Sequence, residues 1–177
     1  MNGVYEYGKA LFLITEEDGI SDKVVADVIT AEKAFKANPD YVKLLNSPAV
    51  PKEERVGLVD KAFSGLDEKL TNLIKILTEK RMIHLFDKVA QAYHELYDES
   101  RGILRVEVVT AIPLTNEQSA ALTKKLAEML GKTIIIKNTV DRTILGGVKL
   151  RYNDVQLDGS VKTRLDKFEE ALKNTVI

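Results

Sequence analysis

The feature that most constrains this chain is a change in hydrophobic period at Gly102. Before it, apolar residues recur at spacings of three and four, the mark of helices with one buried face. After it, Leu104, Val106 and Val108 alternate with Arg105 and Glu107, as in a strand with one face covered. One packed layer cannot satisfy both periods, so the pattern predicts an α+β chain: an all-α bundle over residues 1–101, then a small mixed α/β domain over 102–177. The chain is long enough for this, since 177 residues that are 45% hydrophobic and 30% charged can bury a core in each part.

In the first part, Val4, Tyr7, Leu11 and Ile14 share one helical face. A second helix is expected from Ser21 as N-cap, carrying Val24, Val25, Val28, Ala31 and Phe35 inward and ending at Asn38-Pro39. A short helix spans about Tyr41 to Leu45. A fourth takes Pro51 into its first turn and closes at Ser64-Gly65. The fifth, from about Asp67 to Lys80, is apolar at Leu70, Leu73, Ile74, Ile76 and Leu77, wider than one core stripe needs, which leaves part of it for a partner. The sixth, about His84 to Ser100, repeats Leu85, Val89, Ala92 and Leu96. In the second part, Thr115-Asn116-Glu117-Gln118 is a capping box that opens a helix through Leu130. Strands follow over 133–140 and around Val148, Leu150 and Tyr152, and a last helix follows Asp158-Gly159-Ser160 with Val161, Leu165, Phe168 and Leu172 inward. The expected order is strand, helix, strand, strand, helix.

Charge and composition narrow the function. The 26 basic and 27 acidic residues nearly cancel, with −4 up to residue 101 and +3 after it, so the chain lacks the positive field that draws proteins to nucleic acid or anionic lipid. A nucleic-acid module is the competing class, and it would need a basic stripe that the acidic first half does not offer. With no cysteine, disulfides, thiolate zinc sites and cysteine nucleophiles are all excluded. The apolar stretch Ala10–Ile14 is too short and too acid-flanked for a signal peptide, and no segment has the roughly 20 apolar residues of a membrane span. A soluble cytoplasmic protein that reaches a membrane only through partners is the expectation.

Catalytic motifs fail on inspection. Gly131-Lys132-Thr133 looks like the end of a phosphate loop, but Leu126 stands where that loop needs glycine, and a strand rather than a helix follows; Gly131 reads as a helix C-cap. Gly146-Gly147 lacks the third glycine and the helix of a dinucleotide fingerprint, and reads as a turn or bulge before a strand. His84 and His94 have no metal-pair spacing and read as surface or rim residues, while Asp154 and Asp158 read as turn and N-cap residues. Expected catalytic residues, cofactors and metals are therefore none.

The run from Gly146 to Leu172, GGVKLRYNDVQLDGSVKTRLDKFEEAL, resembles the signature region of ATP synthase delta subunits (the oligomycin-sensitivity-conferring family), with its paired glycine Gly146-Gly147 and its turn Asp158-Gly159-Ser160. Tyr7 to Phe12 is similar to that family's first helix, and residues 72–85, NLIKILTEKRMIHL, to its fifth helix and the arginine-containing turn after it. Gly8, where alanine is usual, and Tyr152-Asn153, where glycine-aspartate is common, depart from the pattern. The resemblance implies a non-catalytic stator subunit serving ATP synthesis and proton transport. Its six-helix first domain would hold the amino-terminal helix of an alpha subunit on the alpha/beta catalytic head, and its second domain would meet the b-subunit peripheral stalk. The groove residues it implies are Tyr7, Ala10, Leu11, Ile14, Leu73, Ile76 and Lys80. It also implies one copy per complex, a monomer when isolated, no nucleic acid, no direct membrane insertion, and residence at the cytoplasmic face of a bacterial membrane.

Overall fold

A computed structural model describes residues 2–144, 147–152 and 155–158. The chain divides into two compact units, Met1–Ser100 and Arg101–Ile177. The class is α+β.

The first unit carries α1 (Asn2–Glu17), α2 (Ser21–Ala37), α3 (Pro39–Asn46), α4 (Lys52–Ala62), α5 (Glu68–Glu79), a single 3-10 turn at Ile83–Leu85, and α6 (Phe86–Ser100). Phe35 sits at the centre of its core, with ring centroids 5.0 Å from Phe86, 5.1 Å from Phe63 and 6.4 Å from Tyr41. Such buried aromatic pairs contribute about 1 kcal/mol each beyond the area they hide. Around them pack Val24, Val28, Leu45, Val59, Leu70, Ile74, Leu77, Ile83 and Val89. α1 lies against α6 through Gly8, where a Cβ would stand 2.4 Å from the Val89 carbonyl oxygen and 2.8 Å from the Ala92 Cβ. Tyr93 is fully buried between them: its hydroxyl is 3.0 Å from Thr15 Oγ1 and donates to the Ser21 carbonyl at 3.4 Å. Burial raises its pKa above the usual phenol value.

Several element ends differ from the sequence expectations. Ser21 is the first helical residue of α2 rather than its N-cap, because its hydroxyl is already committed to the Glu16 carboxylate at 2.5 Å. Pro51 is the N-cap of α4 and not inside its first turn. The sixth helix begins at Phe86, because Arg81 takes a left-handed conformation (φ 56°) and the chain needs a 3-10 turn to swing Ile83 and Phe86 back into the core. Arg81 closes α5 with a Schellman turn: the Met82 amide donates to the Leu77 carbonyl at 2.7 Å and the Arg81 amide to that of Thr78 at 3.1 Å.

The second unit holds β1 (Ile103–Thr110), α7 (Asn116–Leu130), β2 (Thr133–Val140), β3 (Val148–Tyr152) and β4 (Val155–Asp158). The sheet order is β2-β1-β3-β4; β1 and β2 run parallel across the α7 connection, and the other pairs are antiparallel. Even-numbered residues of β1, β2 and β3 face α7, so Leu104, Val106, Val108 and Ile134 are buried with Leu126 while Val148, Leu150 and Tyr152 pack beside them. The Thr115 capping box is formed on both sides, and Gly131 caps α7 at φ 64°. Strand β4 was not foreseen: Val155–Asp158 is too short and too polar to signal a strand, and only the β3 ladder, with Leu150 opposite Leu157, makes it one. Asp158 is the last residue of that strand, in register with Lys149; the helix it was expected to cap lies outside the described residues. Gly147 precedes β3 at φ 87°, a conformation glycine favours. Gly146, Asp154, Gly159, Ser160 and the expected last helix lie outside the described residues.

Candidate docking groove

Helical spacing sets two parallel stripes in the first unit. On α1, residues 3, 7, 10, 14 and 17 share a face, and on α5 residues 69, 73, 76 and 80 do. The helices run antiparallel, since Lys69 pairs with Asp18 at one end and Lys80 reaches Tyr7 at the other. The distance bracketed by these two contacts is about 16 Å at the helical rise per residue, room for three turns of a docked helix.

Within this stretch the floor and the rim differ. Leu11 and Leu73 are only 5% and 8% exposed and belong to the core beneath. Ile14 and Ile76 are 48% and 42% exposed, one on each helix, and Leu13 beside them is 54% exposed. Ala10 is exposed and Tyr7 half-buried. At the Tyr7 end opens a shallow cavity of about 620 Å³ lined by Gly3, Val4, Glu6, Tyr7, Ala10 and Met82. Lys80 closes that end: its Nζ donates to the Tyr7 hydroxyl at 2.8 Å and lies 5.5 Å from the ring centroid, a cation–π geometry worth about 0.5–1 kcal/mol at an exposed site.

Of the seven groove residues implied by the resemblance, five (Tyr7, Ala10, Ile14, Ile76 and Lys80) reach the surface here, and Leu11 and Leu73 support them from below. Gly3, Val4, Glu6 and Met82 were missed. Gly3 and Val4 continue the α1 stripe by one turn and could have been read from spacing, whereas Glu6 lies beside the stripe. Met82 could not, because it arrives through the turn that Arg81 makes. Gly147 and Asp158 of the signature region belong to the second unit.

This surface is suited to grip rather than to chemistry. It exposes aliphatic area and one tyrosine, with the Lys80 ammonium and the Glu6 carboxylate at one end, a composition suited to receiving an amphipathic helix. Elsewhere, His94 Nε2 lies 2.9 Å from a Glu32 carboxylate oxygen, and His84 Nδ1 lies 3.5 Å from Asn46 Oδ1. Among the described residues no group of three or more histidines, aspartates or glutamates is placed to hold a metal, and no helix is long and apolar enough to cross a membrane.

Comparison with known proteins gives a consistent result. The family model described as ATP synthase delta (OSCP) subunit matches residues 4–172. A protein named ATP synthase subunit delta from Clostridioides difficile (strain 630) is 35% identical over 172 residues, covering 96% of this chain and 95% of the relative. Another of that name, from Geobacillus sp. (strain WCH70), is 30% identical over 167 residues and covers 94% of each. Among solved structures, a chain of the Toxoplasma gondii mitochondrial ATP synthase hexamer has the same fold at a TM-score of 0.78, with 21% identity over 97% of this chain and 98% of that one.

Proposed function

The chain belongs to the ATP synthase delta (OSCP) subunit family, and from that premise we propose that it is a stator linker that tethers the alpha/beta catalytic head to the b-subunit stalk, so that the head does not turn with the rotor. The first unit takes the amino-terminal helix of an alpha subunit into the groove between α1 and α5. The second unit meets the far end of the peripheral stalk. The protein catalyses nothing itself and sits at the cytoplasmic face of a bacterial membrane, held there by its partners. Two attachments on one chain reinforce each other, because binding at one raises the local concentration of the other.

The observation that carries this reading is the pair Ile14 and Ile76, two large aliphatic side chains left exposed on facing helices above a closed core. A helix laid between them removes both from water, and burial of such a side chain contributes about 1.5–3 kcal/mol. The test is a titration of the full-length protein with a synthetic peptide of the alpha subunit's amino terminus. Ile76→Asp should weaken binding at least about tenfold while the circular dichroism spectrum is unchanged, since a charge would then face the apolar side of the helix. Unchanged affinity would remove the groove from the proposal. Affinity capture from the source cell should co-recover alpha, beta and b subunits.

A further inference from the structure

The groove has unlike ends. At the Tyr7 end, the Schellman turn carries Lys80 and Arg81 in succession, both exposed, and among the described residues no carboxylate pairs with either. At the other end Glu17 is exposed, one turn beyond Ile14 on the same face of α1, while its neighbour Asp18 is already neutralised by Lys69. The exposed Glu6 carboxylate also lines the Tyr7 end and leaves the two cations there in excess by one charge. Because α1 and α5 are antiparallel, their own dipoles oppose each other along the groove, so these side chains set the field that an occupant meets.

Arg81 adds a second, independent observation. It is the only non-glycine residue with positive φ among the described residues, and it stands at the Schellman position that glycine fills with least strain. Arginine there costs the fold stability, and residues held in such conformations concentrate at functional sites.

We propose that Lys80 and Arg81 read an acidic side chain near the carboxyl end of the docked helix and, with Glu17 at the opposite end, fix that helix antiparallel to α1 and parallel to α5. The inference rests on the groove reading above and adds a direction to it. The occupant's negative dipole end then lies over the two cations and its positive end over Glu17, and the reversed orientation puts like charge against like at both ends. The ammonium of Lys80 is held in place by Tyr7, so it meets the incoming carboxylate with little side-chain freedom left to lose. The alpha subunit's amino-terminal helix should accordingly carry an aspartate or glutamate in its last docked turn.

Arg81→Gly separates this role from a structural one, because the two move in opposite directions. Relief of the left-handed strain should raise the thermal midpoint of the full-length protein by about 3 °C. Loss of the cation should weaken the alpha amino-terminal peptide about threefold at low ionic strength, and the difference should vanish in about 0.5 M salt. A nitroxide on the peptide's carboxyl end should broaden the amide signals of Lys80 and Met82, and one on its amino end those of Glu17 and Lys69. If Arg81→Gly binds as tightly as the wild type, or if the two labels report the reverse, the polarity is wrong while the groove stands. If the peptide does not bind the wild-type protein at all, the groove reading fails and takes the polarity with it.

Discussion

Gly8 shows how much one side chain decides. The site lies where α1 meets α6, and an added methyl would stand 2.4 Å from the Val89 carbonyl oxygen, which cannot rotate away as a side chain could. Alanine is the better helix former by about 1 kcal/mol, but the clash would push the two helices apart, at a cost of about 1–3 kcal/mol. Gly8→Ala should therefore destabilise the first unit by up to about 2 kcal/mol, read as a lower urea midpoint. The sequence marks Gly8 as a departure from its family without a reason; the close approach of α6 supplies one. Arg81 is the converse case, a side chain kept where glycine would be easier. Neither was legible in advance, since a helical glycine and an arginine after a helix both look ordinary without the neighbouring backbone.

At the scale of elements, Arg55 of α4 ties three helices together. Its side chain is buried, and one terminal nitrogen donates to the Leu45 carbonyl near the end of α3 at 2.9 Å and to the Thr78 carbonyl in the last turn of α5 at 2.7 Å. A cation at two helix carboxyl ends is favoured by both dipoles and by the unpaired carbonyls there. Its Nε and the nearby Thr78 Oγ1 are buried with no protein hydrogen-bond partner, so part of the stabilisation is offset by desolvation. Arg55→Met keeps the length and loses both hydrogen bonds, and should cost about 2 kcal/mol in chemical denaturation. Pro51 and the Ser64-Gly65 stop were enough to mark α4 as a helix, but nothing local singles out Arg55. Only the convergence of α3 and α5 on that point buries it. The Thr115 capping box, by contrast, was readable in full, because all its partners lie within four residues.

At the scale of the whole molecule, each unit has its own core. Every residue of the first core cluster lies between Leu11 and Tyr93, and every residue of the second between Leu104 and Ile134. A fragment of residues 1–100 should thus retain helical circular dichroism and melt cooperatively, since its core cluster is built from its own helices. A broad, non-cooperative melt would show that the first unit needs the second.

What the sequence alone determined is everything carried by local repetition and short-range bonding: the change of period at Gly102, the helices before it, the strand alternation after it, the capping box and the Gly131 cap. The near-cancellation of charge and the lack of cysteine likewise needed no structure to exclude whole classes of chemistry. Tertiary structure decided what depends on distant neighbours. It made Val155–Asp158 a strand by giving it β3 to pair with, and it put Leu11 and Leu73 beneath the surface while leaving Ile14 and Ile76 upon it. The four share two helical stripes, so spacing could not separate them. Exposure is a property of what packs alongside, and only the antiparallel pairing of α1 with α5 turns two apolar stripes into one groove with a cationic end.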